Sequence, residues 1–167
     1  MNISTKISVT TNVLEQLAYG TANQPVPSNC GATYAFTAGT GPGQTDRHYE
    51  QSGASAVTLA GGATITYTLS SLADDLGRSA AMAKVREYMI LVTSRTAGDY
   101  LTVGNAATHP WVAWLAGTTP AVMVYDCLLL VNADGYPVVS GTSDQLLITN
   151  SGSHPITFTI VFNGTSV

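Results

Sequence analysis

Residues 63–70 read A-T-I-T-Y-T-L-S, with Ile65, Tyr67 and Leu69 on one parity and Thr64, Thr66 and Thr68 on the other. In an extended chain successive side chains leave opposite faces, so this pattern predicts a strand with one face on a core and one toward water. The same two-residue period recurs at 156–162, where Ile156, Phe158, Ile160 and Phe162 share a parity, and at 3–13, where Ile3, Ile7, Val9 and Val13 do. Turn formers separate such runs: Gly39-Thr-Gly-Pro-Gly-Gln44, Gly61-Gly62 and Asp134-Gly135. Short strands punctuated in this way belong to a sandwich or barrel, and the lack of strand–helix alternation argues against a parallel sheet.

Further strand candidates lie at 32–37, 47–51, 55–59, 87–93, 99–103, 111–115, 121–131, 136–139 and 145–149, and about eight to ten of the twelve candidates are expected to form strands. Residues 87–93 and 121–131 are apolar on both parities and are expected to be buried on both faces. Asn23, Pro25 and Pro27 predict a loop over 21–30, and Asp134-Gly135 predicts a hairpin turn. Residues 70–85 are the one helix-like stretch, with Ser71 as a cap and Asp74 and Asp75 near its start, sufficient for one or two turns. The expected fold is all-β: a two-sheet antiparallel jelly-roll sandwich with at most one short helix, formed by residues 1–167 as a single domain. An immunoglobulin-like sandwich is the second choice, because its Cys–Trp–Cys order is missing. Residues 1–12 form either an ordinary first strand or an arm that adds a strand to a neighbouring subunit.

Charged residues make up 10% of the chain, against roughly 25% in a typical soluble domain. Depletion of Lys and Glu fits a surface covered by neighbours. A net charge of −4 excludes the clustered basic side chains that bind phosphates, so no nucleic acid is expected as a partner. No apolar core follows Lys6, and no run approaches the roughly 20 apolar residues of a membrane span, so neither a secretory signal nor a membrane partner is expected. Cys127, inside the apolar run 122–131, is expected to be a buried free thiol. Whether it meets Cys30 does not follow from two cysteines, and with three scattered histidines they make no zinc spacing.

The glycine-rich segment 39–46 lacks the Gly-Lys-Ser/Thr of a phosphate loop and contains Pro42, so it reads as an exposed loop. His48, His109 and His154 have no ligand-type neighbours, no Gly-x-Ser-x-Gly elbow occurs, and Asp74, Asp75, Asp134 and Asp144 suit capping and turns better than calcium. No catalytic residue, cofactor or metal is predicted. Asp126 lies in the most apolar run and must be paired, with Arg86 or Arg95 as partner, or face solvent at an interface rim. Trp111, Trp114 and Tyr125 suit core packing or a subunit contact, and alternatively a sugar-stacking face. Asn163-Gly-Thr165 matches a glycosylation acceptor, expected to be unused without a signal peptide. The candidate interface residues are Ile3, Ile7, Val9, Trp111, Trp114 and Tyr125.

The order of motifs adds a resemblance. F-T-A-G-T-G-P-G-Q-T-D-R at 36–47 is followed by L-A-D-D-L-G-R at 72–78, V-R-E-Y-M-I-L-V from Val85 and D-Y-L-T-V-G-N at 99–105. A tryptophan segment and a long apolar strand lead to D-G-Y-P-V-V-S-G-T-S-D-Q-L-L-I-T-N and a final strand ending F-N-G-T-S. This layout, over nearly the whole chain, resembles small jelly-roll virion proteins of tailed bacteriophages and is similar in character to their capsid decoration (cement) proteins. The resemblance implies a non-enzymatic structural protein that binds the major capsid protein as a homotrimer, assembled onto the virion in the host bacterial cytoplasm. A tail, fibre or baseplate module binding a host-surface glycan is the alternative, and a jelly-roll glycan hydrolase with two acids in one cleft is a third.

Overall fold

The computed structural model of the 167-residue chain describes residues 5–19, 22–74, 77–104, 106–115 and 121–167, with side chains from residue 35 onward. In chain order the strands are β1 (Thr5–Tyr19), β2 (Ala22–Ala38), β3 (Gln44–Thr45), β4 (Arg47–Gln51), β5 (Val57–Leu59), β6 (Thr64–Thr68), β7 (Lys84–Ser94), β8 (Leu101–Val103), β9 (Val122–Val124), β10 (Cys127–Pro137), β11 (Gln145–Asn150) and β12 (Ile156–Thr165). Helical structure among the described residues is confined to single 3-10 turns at Gly53–Ser55, Leu69–Ser71 and Ala113–Leu115.

One sheet runs β10-β7-β12-β4, with β5 also on β12, and the facing sheet runs β6-β11-β8-β9. Every pair within these two sheets is antiparallel. With β4 and β5 sharing one position, these are the eight strand positions of a jelly roll. The chain crosses between sheets at almost every connection, and the last strand, β12, returns to lie between β7 and β4. The fold is therefore the all-β jelly-roll sandwich that the alternation predicted.

The core lies between the sheets. Tyr88 and Ile90 of β7, and Phe158, Ile160 and Phe162 of β12, meet Leu101, Val103, Leu146 and Ile148 of the opposite sheet, and all of these are fully buried. Tyr88 and Phe162 stack with centroids 5.1 Å apart, and Tyr49 and Tyr67 close around Phe162 at 6.1 and 5.9 Å.

Several local expectations fail, each for a physical reason. The predicted loop 21–30 is part of the continuous strand β2, paired residue for residue with β1. Pro25 and Pro27 fall on one parity, so one edge of β2 can lack both N–H groups while the other stays paired. The run 121–131 is not one buried strand. It bends at Tyr125-Asp126, where the chain leaves β9 in one sheet for β10 in the other, and Met123 and Cys127 are exposed. Asp134-Gly135 makes no hairpin: β10 continues through it with a register shift against β7 between Val131 and Tyr136. Gly135 supplies the positive φ of 83°, but for a bulge rather than a turn. Residues 111–115 are not a strand, because Leu115 N–H bonds Val112 O and closes a 3-10 turn. Ser71 lies inside its turn rather than capping one, and Asp74 pairs with Arg78 at 2.7 Å.

Gly164 sits where β12 shifts register against β7, and a Cβ there would lie 2.2 Å from the Lys84 carbonyl oxygen. That atom belongs to the backbone of the central strand and cannot swing away. Gly164→Ala is expected to cost about 2–3 kcal/mol, the upper part of the overpacking range, read as a lower urea midpoint with an unchanged slope.

Candidate interaction surfaces

The first surface is the β1–β2 hairpin. Its register, Thr5↔Phe36 through Tyr19↔Ala22, places Ile7 opposite Tyr34, Val9 opposite Ala32, Thr11 opposite Cys30 and Glu15 opposite Val26. Apart from each other and β3, neither strand lies along any element of the sandwich among the described residues. The hairpin joins the body at its base, where Thr37 and Ala38 pair with Gln44 and Thr45, and Gly43 N–H bonds Ala133 O. Of the predicted interface residues, Ile7 and Val9 lie in β1, paired with Tyr34 and Ala32 of β2, and Ile3 lies outside the described residues.

The second surface is the outer face of the β10-β7-β12-β4 sheet. Cross-strand rows there read Cys127–Leu91–Thr159, Leu129–Met89–Val161 and Val131–Glu87–Asn163. Leu91 is 41% exposed and Cys127 is exposed, which corrects the expectation of a buried thiol and of a β7 strand buried on both faces. At the end of this stripe Glu87 is only 4% exposed. Its carboxylate accepts a hydrogen bond from Asn163 Nδ2, and Asn163 Oδ1 accepts one at 2.7 Å from His48 Nδ1. Burial raises the Glu87 carboxyl above its ordinary value, with the Asn163 hydrogen bond and the nearby His48 opposing the rise.

The predicted aromatic residues do not form one group. Trp111 is 1% exposed, so it belongs to the core and not to an interface. Its Nε1 donates to Pro137 O at 2.9 Å, and the 3-10 turn brings Trp114 beside it, ring centroids 6.2 Å apart, with Tyr88 and Tyr136 completing the cluster. Tyr125 lies elsewhere. It is exposed at the β9–β10 corner, 5.3 Å from the Tyr100 ring, with the Arg95 guanidinium 5.6 Å above it. Arg95 pairs with Asp126 at 3.0 Å, which settles the choice between Arg86 and Arg95 and shows the carboxylate in solvent rather than buried. Val92, Thr93, Ser94, Arg95, Ala97 and Asp126 line a shallow groove of about 330 Å³ beside this corner. The run 121–131 is apolar on both sides of Asp126 and so reads as one strand, which hides the corner at Tyr125; Asp126, its one charged residue, was the available signal.

The remaining titratable groups are tied into loops. Asp99 receives His154 Nδ1 at 3.0 Å and the N–H groups of Ser153 and His154. Burial alone would raise its carboxyl, and these hydrogen bonds bring it below its ordinary value. Asp144 accepts Ser70 Oγ at 2.6 Å and Gly141 N–H, while its second oxygen has no hydrogen-bond partner among the described residues and stands 4.0 Å from His109 Nδ1. His109 holds a φ of 48°, unusual for a side chain of this size. No group of three or more metal-ligating side chains occurs among the described residues. No family model, curated protein or solved structure matches the chain.

Because the folded state raises the Glu87 pKa, its contribution is full when the carboxyl is protonated and is lost as pH rises through the folded-state value. Glu87→Gln keeps an acceptor for Asn163 and removes the titration. The variant is expected to gain stability relative to the parent at about pH 8 and to lose that advantage at about pH 4, measured by urea unfolding at both.

Proposed function

We propose that this chain is a virion structural protein, a capsid decoration protein that binds and stabilises a shell of major capsid protein subunits and associates with copies of itself, as a homotrimer through its bodies. The observation that carries the reading is the hairpin: a ribbon of about 50 Å, 15 residues of β1 at roughly 3.4 Å each, that among the described residues pairs with the body only through β3. A two-stranded ribbon alone is marginal in water, so a partner is part of its design. The apolar stripe at Leu91 and Cys127 offers a second contact, and several modest contacts on a repeating shell add through effective concentration. The low charge content and the motif order that resembles phage virion proteins support the same assignment.

Purified protein mixed with shells lacking it is expected to occupy symmetry-related positions saturably, seen by electron microscopy. Absence from the shell, with density on the tail or nowhere, would overturn the assignment.

A second reading rests on the corner at Tyr125. Exposed Tyr125 and Asp126, with half-buried Tyr100 and Arg95, provide a ring face and hydrogen-bonding groups beside a groove, the chemistry that holds a sugar in a tail or fibre module. On that reading Tyr125→Ala abolishes retention on a host-surface glycan array. Equal retention by parent and variant would remove it.

A further inference from the structure

We infer that His48 and Glu50 form a binding site for a zinc-class divalent cation on the outer face of the sheet, with His48 Nε2 and Glu50 Oε2 as its protein ligands and with Asn163 and Glu87 holding the histidine in place. The inference goes beyond the structural role proposed above and does not depend on it.

Strand register brings the parts together. β4 is the last strand of its sheet, and among the described residues it pairs only with β12. His48 stands opposite Asn163, and Asn163 stands opposite Glu87 of β7, so the three side chains leave the sheet on one face. Glu50 is two residues beyond His48 in the same strand and shares that face. The His48 and Glu50 side chains are 36% and 44% exposed, whereas Glu87 and Asn163 are buried. The row thus runs from a buried carboxylate to two ligand-type side chains within reach of solvent.

The hydrogen bonds along this row have a direction. Asn163 Nδ2 donates to Glu87, which leaves Asn163 Oδ1 to accept from His48 Nδ1 at 2.7 Å. His48 therefore carries a proton on Nδ1, and its Nε2 faces Glu50 Oε2 at 3.3 Å. Ser52 Oγ donates to the other oxygen of Glu50, Oε1. In the neutral ring with Nδ1–H, Nε2 is an acceptor, and so is a carboxylate oxygen, so a cation has to stand between them. A proton fills that place in an ordinary exposed ion pair. Such a pair has no need of the buried support behind it. Asn163 and Glu87 are withdrawn from water, which is unfavourable unless they are hydrogen-bonded. A carbonyl oxygen on the Nδ1–H of a histidine, itself backed by a carboxylate, is the arrangement that fixes the tautomer and ring of a metal-bound imidazole.

The spacing selects the metal class. Zinc bonds to imidazole nitrogen and carboxylate oxygen are about 2.0–2.2 Å, so two such ligands stand about 3.4 Å apart at a tetrahedral angle and about 3.0 Å apart at a right angle. The observed 3.3 Å is close to the tetrahedral edge. A nitrogen ligand favours zinc, copper or nickel over calcium and magnesium, which take oxygen. Among the described residues no third ligand-type side chain joins the pair, so water completes the shell.

The test is a titration of the full-length chain with zinc chloride, followed by the imidazole nitrogen resonances of the three histidines. Cys30→Ser and Cys127→Ser remove thiols that would compete for the metal. His48 Nε2 is expected to shift saturably, with Nδ1–H retained, at zinc concentrations that leave His109 and His154 unmoved. Glu50→Gln, an exposed change, should abolish that preference. Asn163→Ala should weaken binding about 10- to 100-fold, as loss of an outer-shell partner does, with circular dichroism checking that this buried variant folds. An unmoved His48 in excess zinc would overturn the inference and leave an ordinary ion pair. So would three histidines responding together, or parent and Glu50→Gln responding alike.

Discussion

The stack of Tyr88 on Phe162 joins β7 to β12 at the centre of the sandwich, and the rest of the body is arranged around it. The two residues are far apart in the chain, so the contact forms only when the last strand inserts between the middle strand and the first. Once it does, Tyr49 and Tyr67 close on Phe162 while Trp111 and Trp114 close on Tyr88, so one aromatic column ties both sheets and the 3-10 turn together. Gly164 fits the same strand against the Lys84 carbonyl, where no side chain has room. A fold whose key contact is this non-local is expected to form slowly, with loop closure preceding any gain from burial.

Two buried polar side chains give the closure of this body its direction. Arg86, 1% exposed, donates to the carbonyls of Ala133 and Thr40 and so clamps the β10 bulge to the glycine-rich loop at the hairpin base. Asn150 donates to Leu59, Ala60 and His154 carbonyls and ties three loop ends at the opposite sheet. These side chains fix how the arm leaves the body and how the loops close, tasks that apolar packing alone performs without direction.

Where one face of a strand meets the core and the other meets water, the sequence states the structure. β6 shows this in Ile65 and Tyr67 against three threonines, β4 was bounded at 47–51, and Ile156, Phe158, Ile160 and Phe162 all lie on the inner face of β12. The pattern fails where two causes produce the same letters. Proline reads as a loop unless the strand is known to have a free edge, which hid most of β2. A run that is apolar on both sides of a single Asp126 reads as one strand, which hid the corner at Tyr125 and the exposure of Cys127. A Trp-rich segment after Pro110 is equally consistent with strand and turn, and the i, i+3 spacing of Trp111 and Trp114 was the available sign of the turn. The apolar parity of Ile7 and Val9 was legible, but the partner strand that pairs them with Tyr34 and Ala32 was not.

That ribbon also explains why so little charge is present. A protein that works alone protects a long edge strand with lysine, proline or a covering loop, because an open edge otherwise recruits whatever strand it meets. Here the protection is on β2 and is missing from β1, on the same hairpin and only a few residues away. An asymmetry of this kind is consistent with one edge kept closed and the other kept for use. The same logic applies to the body, where the outer sheet face leaves Leu91 in solvent while Glu87, two residues along the same face, is buried and hydrogen-bonded. Few charges on a long open edge are a liability for a chain in isolation and an advantage for one whose contact surfaces are covered in its assembly, since no desolvation of ions then opposes docking.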